Sequence, residues 1–156
     1  MTHSLHNPDG VHPPVGRYSH LARVTSGELL FFAGQVSVDA DGMLVGKDDA
    51  AAQTLQAYRN IGTVLKSAGA SFASIVQLTT YVVGRESVQP YLDARTELFA
   101  DIFPDDSYPP NTLLVISGLV DPDMLVEVTA VAGLPVGAIL CDCPGDRERT
   151  CRLKMY

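Results

Sequence analysis

The sequence predicts an α+β domain in which one mixed β-sheet carries two α-helices on a single face. Five stretches show the alternation or the β-branched composition of strands, and two longer stretches repeat apolar residues at helical spacing. Their order is ββαβαββ, and its two crossovers place both helices on the same face. The apolar alternation of the strands favours burial of the other face, against another subunit.

The composition describes one domain of 156 residues, which can bury a core without disulfides or metals. The formal net charge of −7 argues against a nucleic-acid partner, because binding to the phosphate backbone requires a basic face. No stretch is apolar enough to span a membrane, and the first sixteen residues lack a signal-peptide pattern. We therefore expect a soluble, cytoplasmic protein that binds neither nucleic acid nor membrane.

The two ends differ from the body of the chain. Residues 1–16 are polar and rich in turn signals, which predicts a flexible arm, and residues 17–134 form the domain. Residues 135–156 follow no periodic pattern and are interpreted as a tail of uncertain order or a non-native extension. The histidine spacing could suggest a metal, but a flexible arm without an ordered partner is usually a polar tail, and the cysteine spacing matches no common zinc finger, so we expect no metal. These histidines and cysteines are His3, His6, His12, Cys141, Cys143 and Cys151.

The first two strands are predicted at residues 18–25 and 29–38, joined by a hairpin turn at residues 26–28. Gly34 interrupts the second strand and marks a bulge or a close approach to the backbone. His20 is interpreted as a half-buried sheet histidine rather than a catalytic base.

The first helix is predicted to begin after Asp48 or Asp49 as N-cap and to end at Ala68, with Gly69 as the C′ residue. The β-branched run at residues 75–83 is the third strand. These predictions rest on capping chemistry as well as on periodicity.

The second helix is predicted at residues 87–103, with Arg95 contributing its aliphatic stem to the apolar stripe. Asp93, Glu97 and Asp101 recur at every fourth position and form an acidic stripe. Such a stripe is usually a solvated face, which is the interpretation we favour.

The last two strands carry the candidate site. Pro109 and Pro110 hold the chain extended before a strand at residues 111–117, and a final strand covers residues 124–131. Glu127 stands alone among apolar neighbours in that final strand. The polar groups of a small-molecule site are therefore expected at the start of the fourth strand and at the Glu127 carboxylate.

Six short segments, taken in order, are similar to those of one known family. They are Gly16-Arg17-Tyr18, Phe32-Ala33-Gly34-Gln35-Val36, Ala52-Gln53-Thr54-Leu55-Gln56-Ala57, Thr79-Thr80-Tyr81-Val82, Tyr108-Pro109-Pro110 and Val126-Glu127-Val128-Thr129-Ala130. Over roughly residues 16–133 the chain resembles the reactive intermediate deaminase family, also called the Rid or YjgF family. The resemblance implies a chorismate mutase-like fold, assembled as a homotrimer with clefts between subunits.

The resemblance also implies an activity. Deaminating members hydrolyse the enamine or imine of an amino acid, chiefly 2-aminoacrylate and its tautomer, to a keto acid and ammonia. They use no metal or organic cofactor, so a small-molecule metabolite is the expected partner.

Residue by residue, the resemblance assigns water activation to Glu127 and substrate binding to the start of the fourth strand. The family's carboxylate-binding Arg aligns with Asn111, whose amide brings neither a charge nor a guanidinium fork. A small carboxylate substrate should therefore be held weakly. The expected site comprises Glu127 as catalytic residue and Tyr18, Asn111, Thr112, Leu113 and Leu114 as substrate-binding residues.

Two functions remain open from the sequence. The first is hydrolysis of an enamine or imine other than the usual small 2-imino acid, with Asn111 and Thr112 bonding a neutral or larger group. The second is a non-catalytic trimeric protein that binds small metabolites or a regulatory partner. A purely structural interpretation of Glu127 pairs it with Arg17 or Arg23 at a subunit interface. Chorismate hydrolysis is disfavoured, because no Arg is available there for a dicarboxylate.

Overall fold

A computed structural model describes residues 3–135, and it confirms the predicted α+β class with a mixed sheet and two helices. The elements, in chain order, are β1 (His3–His6), β2 (Leu21–Val24), β3 (Glu28–Phe31), β4 (Gln35–Val36), α1 (Ala50–Ser67), a 3-10 turn (Phe72–Ser74), β5 (Ile75–Val83), α2 (Val88–Ile102), β6 (Asn111–Ile116) and β7 (Val126–Leu134). Within residues 3–135, no helix has the length and apolar character needed to cross a membrane.

The central strand of the main sheet is β7. It pairs antiparallel with β3 and β4 along one edge and with β5 along the other, and β5 pairs in parallel with β6. The spatial order is therefore β3-β7-β5-β6, with β4 beside the first half of β7. A single parallel pair among antiparallel ones makes the sheet mixed, as the crossover through α2 requires.

Both helices pack on one face of the sheet, and strand alternation decides which side chains meet them. Along β7, every second residue from Val126 to Leu134 is buried, and Leu78, Thr80 and Val82 of β5 are buried beside them. The core forms where these side chains meet the buried faces of α1 and α2. The intervening residues of both strands point to the opposite face, called here the open face.

The helix boundaries follow the predicted capping. The Asp49 side chain accepts a hydrogen bond from the backbone N–H of Ala52 at 3.0 Å, so Asp49 is the N-cap of α1. Ala68 ends the helix and Gly69 follows with φ of +68°, a conformation that glycine adopts without strain. The acidic stripe of α2 is exposed to solvent, as predicted.

The prediction for the N-terminal region differs from the structure. Residues 3–6, expected to be part of a flexible arm, form β1, which pairs antiparallel with β2 in a separate two-stranded sheet. The predicted strand at residues 18–25 shortens to Leu21–Val24 and joins no strand of the main sheet. The predicted hairpin between residues 25 and 29 is therefore wrong, because β2 finds its backbone partners in β1, fifteen residues or more upstream.

The predicted second strand is broken in two. Residues 32–34 separate β3 from β4, and the two pieces pair with different halves of β7. Gly34 lies in this break, where the expected close approach to the backbone is found. The last strand extends to Leu134 because its C-terminal half pairs with β3. The predicted tail, with its three cysteines, lies outside the described residues.

The open face carries several large apolar side chains that are exposed to solvent. Phe31 is 77% exposed and Leu29 is 46% exposed, and the register of β3 with β7 places both side chains on this face. Leu114 of β6 is 38% exposed on the same face. A sheet face with large apolar side chains in solvent is typical of an interaction surface.

Candidate active site

Glu127 lies on the open face, near the start of the central strand β7. Its neighbours across the ladder are Tyr81 of β5 and Val36 of β4. The side chain is half-buried and lies directly over the backbone of Gly34. A Cβ atom built on Gly34 would lie 1.7 Å from Glu127 Oε1 and 2.5 Å from its Cδ. The absence of a side chain at residue 34 therefore creates the space that the carboxylate occupies.

The carboxylate of Glu127 is not neutralised within the described part of one chain. Residues 3–135 contain a single ion pair, between Lys47 Nζ and Asp123 Oδ2 at 2.6 Å. Arg17, one of the two expected partners, instead donates to the hydroxyl of Tyr108 at 2.6 Å, and Arg23 is exposed on β2. Neither arginine pairs with Glu127 within the described part of one copy, whereas the structural interpretation places that pair between subunits.

A row of side chains crosses the open face at the level of Glu127. It runs from Leu114 of β6 through Tyr81 of β5 to Glu127, because these residues are register partners. Directly paired residues on one face have Cβ atoms about 5 Å apart, so the Tyr81 ring is an immediate neighbour of the carboxylate. Thr112 is exposed one step along β6, beside Thr79.

Asn111 lies on the helix-covered face. It pairs with Leu78, whose side chain is buried there, and its Oδ1 accepts a hydrogen bond from Thr80 Oγ1 at 3.2 Å. Thr80 Oγ1 is also 3.1 Å from the hydroxyl of Tyr91 on α2. The Nδ2 of Asn111 is buried and has no hydrogen-bond partner among the described residues. Leu113 points to the same face and packs against the core.

Arg95 is buried beside this group. It is only 7% exposed, and its Cζ lies 5.5 Å from the ring centroid of Tyr91 and 5.3 Å from that of Phe99. A Cβ atom built on Gly16 would be 3.9 Å both from Arg95 Nη2 and from Tyr18 Cδ1. Gly16 is therefore close to both Arg95 Nη2 and the ring of Tyr18, the residue predicted to line the cleft.

Tyr108 extends this cluster toward Arg17. Its ring stacks on Phe99 with centroids 5.8 Å apart, and the Arg17 guanidinium lies 5.5 Å from the Tyr108 centroid. The Tyr108 hydroxyl donates to Asp106, which raises the pKa of the phenol, while the charge of Arg17 acts in the opposite direction. The nearby carboxylate of Asp106 is thus already bound.

The expected site residues therefore fall into two groups on opposite faces of one sheet. Tyr18, Asn111 and Leu113 belong to the helix-covered side, whereas Glu127, Thr112 and Leu114 belong to the open face. A single copy does not bring the two groups together, because the sheet itself separates them.

Three further residues were missed from the sequence. The sequence assigned Tyr81 to the third strand and Tyr91 to the apolar stripe of the second helix, with no functional role for either. It assigned only the aliphatic stem of Arg95, which lies in the same stripe. The one usable signal was the guanidinium of Arg95 at a buried helix position, where cations are rare unless paired.

Within residues 3–135, no group of three or more His, Cys, Asp or Glu side chains is arranged to hold a metal ion.

The fold and site define a small α+β domain with a carboxylate on the open face of its sheet. The chain matches the family model described as endoribonuclease L-PSP over residues 10–134. It therefore belongs to that family, the YjgF or Rid family. A RutC family protein of Pyrococcus abyssi is 30% identical over 119 residues, which cover 76% of this chain and 87% of the relative.

Solved structures agree with this assignment. The crystal structure of YyfB from Yersinia pestis, a Rid family protein of unknown function, is 34% identical with a TM-score of 0.78. The match covers 86% of this chain and all of YyfB. A YjgF family member from Mycobacterium tuberculosis is 26% identical with a TM-score of 0.55, and covers 85% of this chain and 99% of its own.

Proposed function

We propose that the protein is a hydrolase of an enamine or imine metabolite, in which Glu127 activates the attacking water. The observation that carries this proposal is the half-buried Glu127 carboxylate, seated against Gly34 with no ion-pair partner in the described chain. A carboxylate held in place and free of a cation can accept a proton from water.

The reaction balances without a cofactor. Glu127 accepts a proton from water as the water oxygen attacks the imine carbon, and this proton passes to the nitrogen to give a neutral carbinolamine. The carbinolamine hydroxyl then gives the second proton of the water to the nitrogen, and the C–N bond breaks as the C=O bond forms, which releases ammonia. An enamine substrate first takes a proton on carbon and loses one from nitrogen to become the imine. The phenol of Tyr81, beside Glu127, is suited to hydrogen-bond the water or the substrate nitrogen.

The proposal includes assembly into a homotrimer with its sites between subunits. Two observations support assembly: the exposed apolar residues of the open face, and the separation of Glu127 from Asn111 by the sheet. If the open face of one copy meets the β6 edge of another, Glu127 and the Asn111 side can enclose one cleft. Asn111 of the second copy then contacts the part of the substrate away from the reacting carbon, and Thr112, which shares the open face with Glu127, contacts it from the opposite side.

Imine hydrolysis is favoured over RNA cleavage, despite the description of the family model, because the net charge of −7 opposes binding to a polyanion. The alternative within the family is a non-catalytic trimer that binds small metabolites. It is favoured by the neutral side chain at residue 111, which removes one charged contact to a carboxylate.

Ammonia release from freshly generated imines and enamines tests the proposal. The panel ranges from serine- and threonine-derived imines to bulkier and neutral ones, and each is assayed with native protein and with Glu127→Gln. We expect turnover with at least one member and a loss of about 10²- to 10⁴-fold in the variant, as for removal of a general base. Glu97→Gln, on the exposed face of α2, is the matched control and should keep native activity.

The binding alternative gives a different result. No member of the panel would release ammonia, yet one or more metabolites would raise the melting temperature of native protein and of Glu127→Gln alike.

A further inference from the structure

Arg95 is a buried cation without an anionic partner. It is 7% exposed, its Nε is buried without a partner, and it forms no hydrogen bond or ion pair with any residue from 3 to 135. The rings of Tyr91 and Phe99 attract the positive charge but leave the buried Nε–H without a hydrogen-bond acceptor. Buried charges in proteins are normally paired, because an unpaired one loses its hydration without compensation.

A second unpaired polar group lies beside the same aromatic pair. Asn111 Nδ2 is buried without a hydrogen-bond partner among the described residues, and Asn111 is linked to Tyr91 through Thr80. The Tyr58 ring contacts Phe99 at 5.5 Å between centroids, and its hydroxyl lies by Tyr91 and Thr80. Burial raises the pKa of the Tyr58 phenol, and the charge of Arg95 opposes that rise. Such groups are rarely left unmatched in native proteins.

Both unmatched groups are hydrogen-bond donors, because Arg95 Nε and Asn111 Nδ2 can only donate. Arg17 adds a second positive charge near the cluster, while the Asp106 carboxylate is engaged by Tyr108. Donors and positive charge without an acceptor, in a chain of net charge −7, indicate a site for an anion.

We propose that Arg95 binds the carboxylate of the substrate or product, with Asn111 Nδ2 as a second donor, so that the positive charge comes from α2 rather than from β6. Gly16 is close to both Arg95 Nη2 and the Tyr18 ring, which assigns Tyr18 to the edge of this site. The identification of the anion as a 2-imino or 2-oxo acid rests on the proposed function. It narrows the substrate class to imines that carry a carboxylate.

Binding of keto acids tests this assignment without requiring turnover. The affinities of pyruvate, 2-oxoglutarate and phenylpyruvate are measured by calorimetry, with pyruvamide as the uncharged probe. The proteins are native, Arg95→Lys, Arg95→Met and the control Arg59→Met, whose arginine is exposed on α1. Hydrogen bonds to charged groups contribute enough that Arg95→Met should weaken keto-acid binding about ten- to a hundredfold. Arg95→Lys, which keeps the charge, should lose less, and Arg59→Met should bind as native protein does.

Pyruvamide separates recognition of charge from general damage to the site. Its affinity should be the same in native protein and Arg95→Met. Equal weakening of pyruvate and pyruvamide would overturn the proposal, as would native affinity in Arg95→Met or failure of native protein to bind any of the three keto acids. If Arg95 instead pairs with a carboxylate of another copy, Arg95→Met will dissociate the assembly. In that case Arg95→Lys will stay assembled, and its affinity for keto acids will fall no more than its affinity for pyruvamide. This result also contradicts the proposal.

The two proposals fail differently. Keto-acid binding that depends on Arg95, in a protein that releases no ammonia, would reject the hydrolase and retain the anion site. Ammonia release that depends on Glu127 but is unchanged in Arg95→Met would retain the hydrolase and reject the anion site.

Discussion

Replacing Gly34 by alanine should disable Glu127 without unfolding the protein. The new methyl group would start 1.7 Å from Oε1, 2.5 Å from Cδ and 2.9 Å from Cγ of Glu127. Non-bonded atoms pack at about 3.5 Å, so the carboxylate oxygen must move by roughly 2 Å. Gly34 does not have a positive φ, so alanine fits the backbone there. A displacement of about 1 Å can cost 10²-fold in rate, so we expect at least that loss in kcat.

The stability cost should be small by comparison. The colliding atoms are the far end of a half-buried, flexible side chain, and the backbone of β7 need not move. We expect a loss of about 1 kcal/mol or less in the free energy of unfolding, measured by urea denaturation, near the lower limit for overpacking. Gly118→Ala is the matched control, because a Cβ atom there meets nothing within 4 Å and the backbone has no positive φ.

The assay is ammonia release from the best imine substrate, with native protein, Gly34→Ala, Glu127→Gln and the double variant. If Gly34→Ala acts only through Glu127, the double variant should be no slower than Glu127→Gln alone. The reasoning is refuted if Gly34→Ala keeps kcat within about threefold of native protein while Glu127→Gln loses activity. A further loss in the double variant would show that residue 34 acts by another route.

Two further predictions concern assembly and the core. Phe31→Asp places a charge on an apolar residue that is 77% exposed on the open face, so the proposed trimer should dissociate in sedimentation velocity. Val120→Asp, at a residue 91% exposed outside any strand, should stay assembled. Thr80→Val removes the hydroxyl that joins Tyr91 to β6 and should lower the free energy of unfolding by about 1–3 kcal/mol. Urea denaturation should show a much smaller change for Thr63→Val, whose hydroxyl is exposed on α1.

The elements that the sequence predicted well are those with local signals. The β-branched run of β5 and the capped, periodic helices α1 and α2 were placed within one residue at each end, apart from the two alternatives for the N-cap of α1. By contrast, β1 has only four residues and no periodicity, and its partner β2 lies fifteen residues or more downstream. Non-local pairing of short strands leaves almost no pattern in one sequence.

The same distinction applies to the site. Glu127 was predicted because a lone carboxylate among apolar residues is visible along one strand. Its contact with Gly34 joins residues 93 positions apart, and the sequence indicated only that Gly34 was special. Alternation along β6 assigns Asn111 and Thr112 to opposite faces, but only the register with β5 shows which face the helices cover. Arg95 could be assigned to the buried stripe, whereas its lack of a partner is a property of the packed structure.

The central claim is that one site combines Glu127 of one copy with the Arg95 and Asn111 side of another. Mixing tests it most directly: Glu127→Gln and Arg95→Met are co-refolded in equal amounts and assayed for ammonia release from a carboxylate-bearing imine. Random trimers of the two variants should contain intact sites at about a quarter of their interfaces, and recover up to that share of native activity. If the mixture is no more active than the two variants assayed separately, the catalytic and anion-binding groups do not come from different copies.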